Sequence, residues 1–276
     1  MIRSTRLVRF AGIDVTIHWT FYLLLGWVLL AGLFGGGISA AVLHGLLLAS
    51  SFLCVVLHEF GHAFAARAFG IPTHGITLYP IGGVAQLDRI PKNPIQELVI
   101  ALAGPAVNVV LALAIYPLLA VVSAWPITGA NVLASSLLER LFFVNIALVL
   151  FNLIPAFPMD GGRVFRALAA MFLPYISATR IAVRTGQIVA LGLAALGIFY
   201  NPMLLFLAGF VAFAAETELY GVIAAHREAA PLSSSTYGNV INAVRVAPGK
   251  YSAHLRNRSS DHAARVTVVF SDSNWG

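Results

Sequence analysis

The chain has 276 residues, of which 59% are hydrophobic and only 10% charged. A soluble domain carries about 25% charged residues, so one water-soluble core cannot absorb this much apolar surface, whereas runs of roughly 20 apolar residues suit helices that cross a bilayer. The net charge of +6 does not signal a nucleic-acid partner, because basic residues flank membrane spans for topological reasons, and the one cysteine, Cys54, excludes an intrachain disulfide framework.

The N-terminal segment carries Arg3, Arg6 and Arg9, and an apolar run follows over about residues 17–34. A basic start before an apolar stretch also describes a signal peptide, but this run is long for that role and a second apolar segment follows almost at once. Gly35-Gly36-Gly37 makes the turn between them, and the second span covers about 39–69. Residues 70–94 are different: they hold Pro72, Pro80, Pro91, Pro94 and the pair Gly82-Gly83, and Ile76 and Leu78 alternate with other residues. That pattern predicts a β-hairpin or strand-like loop. A third span covers about 95–122, and a loop with Pro126 and Gly129 leads to a fourth over about 132–153, which Pro155 and Pro158 cut short. A short helix is expected over 163–172, a fifth span over 181–200, a tight turn at Asn201-Pro202, and a sixth span ending near Tyr220.

The expected fold is therefore an all-α polytopic membrane protein of about six transmembrane helices with a small β element on the cytoplasmic side. Its membrane domain occupies residues 1–225. A polar, Ser-rich cytoplasmic tail follows over 226–276, disordered or truncated apart from a short strand near 265–270. With the N-terminus in the cytoplasm and six crossings, every one of the 17 lysines and arginines except Arg140 falls inside. This matches the positive-inside bias and puts both termini in the cytoplasm of a multi-pass cell-membrane protein. Glu216 and Glu218 are read as cytoplasmic interface residues.

The second span contains His58-Glu59-Phe60-Gly61-His62. Histidines at i and i+4 share one face of a helix, so both imidazoles can reach one metal ion, and Glu59 beside the first can take a proton from a metal-bound water. Zinc suits this chemistry, and ionisable residues after the long apolar run 46–57 are costly and usually functional. Two histidines leave a catalytic zinc one protein ligand short. Asp160, in Phe157-Pro158-Met159-Asp160-Gly161-Gly162-Arg163, is the best candidate. Pro155 and Pro158 free backbone carbonyls, and Gly161 and Gly162 remove bulk beside the carboxylate. Taken alone, Asp160 reads better as the N-cap of the helix that follows, a common role for Asp.

These motifs together resemble the site-2 protease family of intramembrane zinc metalloproteases, in its six-span prokaryotic branch. The likeness is carried by the His58 to His62 motif, Asn152-Leu153-Ile154-Pro155 and Pro158-Met159-Asp160-Gly161-Gly162-Arg163. Gly104-Pro105 with Asn108, the Gly82-Gly83 loop and Ile17-His18 fit as well. The resemblance implies His58, His62 and Asp160 as ligands of one zinc ion per chain and Glu59 as the catalytic acid/base. Members of this branch often carry paired nucleotide-sensing domains after the last span, and the tail here does not resemble such a pair.

Among the remaining polar residues, Asn152 could hold the substrate backbone or a developing oxyanion, or satisfy a carbonyl freed by the prolines. Asn108 fits an interhelical hydrogen bond. Cys54, one turn before His58, fits a small core residue. His18, His44 and His74 are read as packed or exposed. The expected reaction is hydrolysis of peptide bonds in membrane-spanning protein substrates, with Gly82 and Gly83 offering a strand to an extended substrate. The alternative is a zinc-binding membrane sensor or transporter without protease activity, and Glu59 argues against it because metal binding alone needs no acid/base.

Overall fold

The computed structural model describes residues 4–88, 91, 93–124, 129–229, 240–247, 250–256 and 263–269. Arg3, Arg89, Lys92, Arg258, Phe270 and the loop residue Pro126 lie outside them.

The chain begins with two strands, β1 (Ser4–Phe10) and β2 (Ile13–His18). The first span therefore opens at Trp19, not at residue 17. The signal for β2 is a period of two: Ile13, Val15 and Ile17 are buried while the residues between them are not. His18 closes the strand and caps the helix that follows, its Nδ1 accepting from the Thr20 backbone N–H at 3.4 Å.

Helix α1 (Trp19–Ala68) is helical except at Gly36 and Gly37. Gly37 has φ +74°, a conformation that glycine adopts without strain. Beyond it the chain doubles back, with Leu29 against Gly45 and Ala41 against Gly32. The expected glycine turn thus separates two antiparallel helical arms. Strands β3 (Thr73–Tyr79) and β4 (Gly82–Leu87) form the expected hairpin, although Gly82 and Gly83 lie in β4 and Pro80-Ile81 make the turn.

The four strands form one sheet in the order β1-β2-β3-β4, with β2 and β3 parallel and the outer pairs antiparallel. Its apolar face packs Ile13, Val15, Ile17, Ile76 and Leu78 against Phe60 and Ala63 of α1. This contact lays β4 over the histidine motif.

Helices α2 (Pro94–Ala124) and α3 (Gly129–Asn152) follow. A loop containing Pro155 and Pro158 leads into α4 (Asp160–Ala170), then α5 (Tyr175–Phe199) and α6 (Met203–Ala229). Among the described residues four helices are long and apolar enough to cross a membrane: α1, α2 over Pro94–Val122, α5, and α6 over Met203–Ala225. The chain is thus mostly helical with a small sheet.

The short helix α4 is amphipathic and held from beneath by Arg166, which is 1% exposed. Arg166 donates Nε and Nη2 to Glu97 Oε1 of α2, at 2.8 and 2.5 Å, and Nη1 to Glu218 Oε1 of α6 at 2.5 Å. Its guanidinium lies 5.0 Å from the Phe157 ring and 5.2 Å from that of Tyr175, within the range of cation–π attraction. Glu218, expected as a cytoplasmic interface residue, is thus joined to Arg166 in an ion network while 26% of its side chain stays exposed. Glu216 accepts a hydrogen bond from Gln187 of α5.

Residues 220–276 form a separate compact unit. It contains an antiparallel sheet of β5 (Val240–Ala247), β6 (Lys250–Arg256) and β7 (Ala263–Val269). A tail disordered or truncated apart from one strand is the expectation from sequence, and three strands are described there. The strand expected near 265–270 overlaps β7, its signal the alternation of Val266 and Val268, whereas β5 and β6 were not expected.

Arg166→Met would leave Glu97 buried without its counter-charge. Breaking a buried pair from one side costs about 3–5 kcal/mol, so thermal unfolding in detergent should shift sharply downward. Arg166→Met combined with Glu97→Gln should recover most of that loss. Wild-type stability in the single variant would contradict this role.

Candidate metal centre

His58 and His62 lie one turn apart on the second arm of α1, both buried, with their Nε2 atoms 3.0 Å apart. Asp160 is the first residue of α4, and its Oδ2 lies 3.1 Å from each Nε2. Met159 holds the N-cap position of α4, so Asp160 does not cap the helix: its carboxylate is turned to the histidines. Gly161 and Gly162 serve a different contact from the one expected. A Cβ at Gly161 would run into the backbone of Leu153 and Ile154, and one at Gly162 would meet the Ala156 backbone at 2.8 Å. The glycines let the first turn of α4 press against the proline loop.

Each histidine is held from behind. The His62 Nδ1 lies 2.7 Å from the Ile100 carbonyl oxygen, which can only accept, so this nitrogen carries a proton and in the neutral ring Nε2 presents a lone pair. The His58 Nδ1 lies 2.5 Å from Asn108 Oδ1. Asn108 in turn donates to Asn145 Oδ1 at 2.8 Å, and Asn145 donates to the Leu141 carbonyl at 2.8 Å and to Cys54 Sγ at 3.4 Å. Asn108 makes the expected interhelical contact and Cys54 is a buried small residue that accepts one hydrogen bond.

Two imidazole lone pairs and a carboxylate oxygen thus converge, with all three donor atoms within 4.8 Å of one another. Such acceptors repel one another unless a cation draws on all three. Two nitrogens and one oxygen form a ligand set that zinc takes in catalytic sites, with a position left for water. The residues present fit that ion.

The trio opens onto a cavity of about 480 Å3, whose walls include Glu59 of α1, Gly82 and Gly83 of β4, Asn152 of α3 and Arg163 of α4. Glu59 sits beneath β4 so closely that a Cβ at Gly83 would meet Glu59 Cγ at 2.7 Å. The Asn152 amide donates to the Leu148 carbonyl at 3.0 Å, one turn back in its own helix, while the residue also faces the cavity. It thus satisfies a carbonyl, though not one freed by the prolines. His18 and His74 stand apart: His18 stacks on Tyr79 and His74 pairs with Asp88 at the surface.

Sequence reasoning missed the Ile100 carbonyl behind His62 and Asn145 behind Asn108. Asn145 interrupts the apolar stretch of α3 and could have been flagged as an intramembrane polar residue. A backbone carbonyl leaves no mark in sequence.

The sequence model of Peptidase family M50 matches residues 46–130 and 126–193. A zinc metalloprotease of Methanocaldococcus jannaschii is 40% identical over 216 residues, covering 78% of this chain and 60% of that protein. The stage IV sporulation protein FB of Bacillus subtilis is 28% identical over 152 residues, covering 55% of this chain and 50% of that protein. The solved structure of the site-2 protease from Methanocaldococcus jannaschii matches with a TM-score of 0.57 at 38% identity, covering 79% of this chain and 95% of that one. The chain spans half to three fifths of the length of these two curated relatives.

Gly104 of α2 faces the imidazoles so closely that a Cβ would overlap both Nε2 atoms. Overpacking of this kind costs about 1–3 kcal/mol. Gly104→Ala should therefore weaken metal uptake roughly tenfold or more, while circular dichroism shows unchanged helix content. Full metal content in the variant would show that the rings can move aside.

Proposed function

The chain belongs to peptidase family M50, the site-2 proteases, and from that membership we propose that it hydrolyses peptide bonds of membrane-spanning protein substrates. The observation that carries this reading is the convergence of His58, His62 and Asp160 beside Glu59 in one cavity. His58, His62 and Asp160 would hold one zinc ion per chain. When bound, zinc supplies Lewis-acid polarisation of a water and of the scissile carbonyl.

The remaining chemistry belongs to the chain. The Glu59 carboxylate, at the cavity wall, takes the proton from the attacking water and returns it to the leaving amine. Asn152 faces the same cavity from α3, placed to receive the substrate backbone or the oxyanion. Strand β4 is an edge strand at the cavity, and its free side offers backbone donors and acceptors. A substrate helix hides its peptide bonds in its own hydrogen bonds, so it must unwind before cleavage. The extended stretch can then pair with Gly82 and Gly83 by β-augmentation. A zinc sensor or transporter would have no use for Glu59.

The protease domain is assigned to residues 1–225, in the cell membrane, with residues 226–276 as a cytoplasmic tail. Six crossings are assigned to the two arms of α1 and to α2, α3, α5 and α6, with both termini in the cytoplasm. The break at Gly36-Gly37 and the charge distribution support this assignment.

Co-expression with candidate single-span proteins separates the proposed roles. Glu59→Gln should lower cleavage by at least about 10²-fold with zinc content retained, because it removes proton transfer alone. Asp160→Asn should lose both cleavage and zinc, since it removes the ligand charge; retention of both would defeat the third-ligand assignment. Reporter fusions should read outside at Gly129 and inside at Pro91, and the reverse pattern would overturn the orientation.

A further inference from the structure

The two histidines reach the same protonation pattern by different routes. His62 is fixed directly by a backbone carbonyl. His58 faces a side-chain amide, and an amide is ambiguous: turned one way it accepts from Nδ1, turned the other way it donates to it. If Asn108 presented its NH2 to His58, Nδ1 would hold the lone pair and Nε2 the proton, and Nε2 could not act as a ligand.

The ambiguity is resolved two residues away. The Leu141 carbonyl can only accept, so the atom of Asn145 that meets it at 2.8 Å must be Nδ2. Asn145 then turns Oδ1 toward Asn108, which must answer with Nδ2. The remaining Asn108 atom, Oδ1, faces His58 at 2.5 Å and accepts the Nδ1 proton. Both asparagines are fully buried, so no water can substitute for either partner. The helical backbone of α3 thus sets the direction of every hydrogen bond up to the metal centre.

We infer that Asn145 is a positioning residue: it fixes the orientation of the Asn108 amide and thereby keeps His58 Nε2 free to bind zinc. The inference rests on the proposed role of His58 as a ligand.

Zinc affinity of the purified full-length protein, measured by competition with a chelator, tests it without reference to activity. Loss of a partner behind a ligating histidine costs about 10–100-fold in metal affinity. Asn145→Leu should fall in that range. Asn108→Ala should fall there too, and adding Asn145→Leu to it should cost nothing further, because the amide through which Asn145 acts is gone. Asn145→Asp, neutral at this fully buried position, donates its hydroxyl to the Leu141 carbonyl and keeps an oxygen for Asn108 Nδ2, so it should bind zinc close to wild type; it also serves as the second test should Asn145→Leu fold poorly. Wild-type affinity in Asn145→Leu, weak binding in Asn145→Asp, or an undiminished loss in the Asn108→Ala background would each overturn the relay. Wild-type protein that takes up no zinc, or a His58→Ala variant that keeps it, would instead overturn the ligand assignment beneath it.

Discussion

A polar or charged group inside an apolar helical bundle has no water to turn to, so each one must be met by a partner from another helix. That constraint organises the molecule. His58, His62 and Asp160 meet one another across α1 and α4. Behind them stand an amide of α2 and a carbonyl of the same helix. Beneath them Arg166 is matched by carboxylates from α2 and α6. Every helix that touches the centre is tied to it by a polar contact that would be expensive to break at this depth.

The position of Asp160 follows from this arrangement. It stands on a helix of 11 residues, too short to be held by its own backbone. Two features hold α4 in register. The proline loop packs against Gly161 and Gly162 at its start, and Arg166 pins its middle to the bundle. The sheet supplies the opposite wall. Its buried face grips α1 through Phe60 and Ala63, one residue either side of the Gly61-His62 pair, which leaves β4 over Glu59. A carboxylate from α4, two imidazoles from α1 and the edge of β4 thus come from three parts of the chain into one cavity.

Much of this was legible in the sequence, and the reasons differ by element. The i, i+4 histidines were readable because helical spacing alone puts them on one face, and Glu59 because it stands next to the first of them. Long apolar runs gave the helices, and paired glycines and prolines gave the hairpin and the break before Asp160. The third-ligand candidate needed the family resemblance, because Asp160 beside a helix start looks like a cap. What escaped was set by tertiary contact. Glu218 looks like an interface charge until the fold brings Arg166 between it and Glu97 and buries the guanidinium. The alternation of Ile13, Val15 and Ile17 runs into the apolar stretch after it, so the span was begun at residue 17, inside β2, and the strand was not seen. Asn145 carried a visible signal, but its meaning depended on Asn108 of another helix.

The account stands on zinc held by two imidazole nitrogens and one carboxylate oxygen. X-ray absorption of the purified zinc-loaded protein reads that shell directly. It should show nitrogen and oxygen scatterers at about 2.0–2.2 Å, with the outer-shell signature of two imidazoles and no sulfur. A sulfur scatterer at about 2.3 Å would place the ion at Cys54 or elsewhere and contradict the centre described here, as would a shell with a single imidazole.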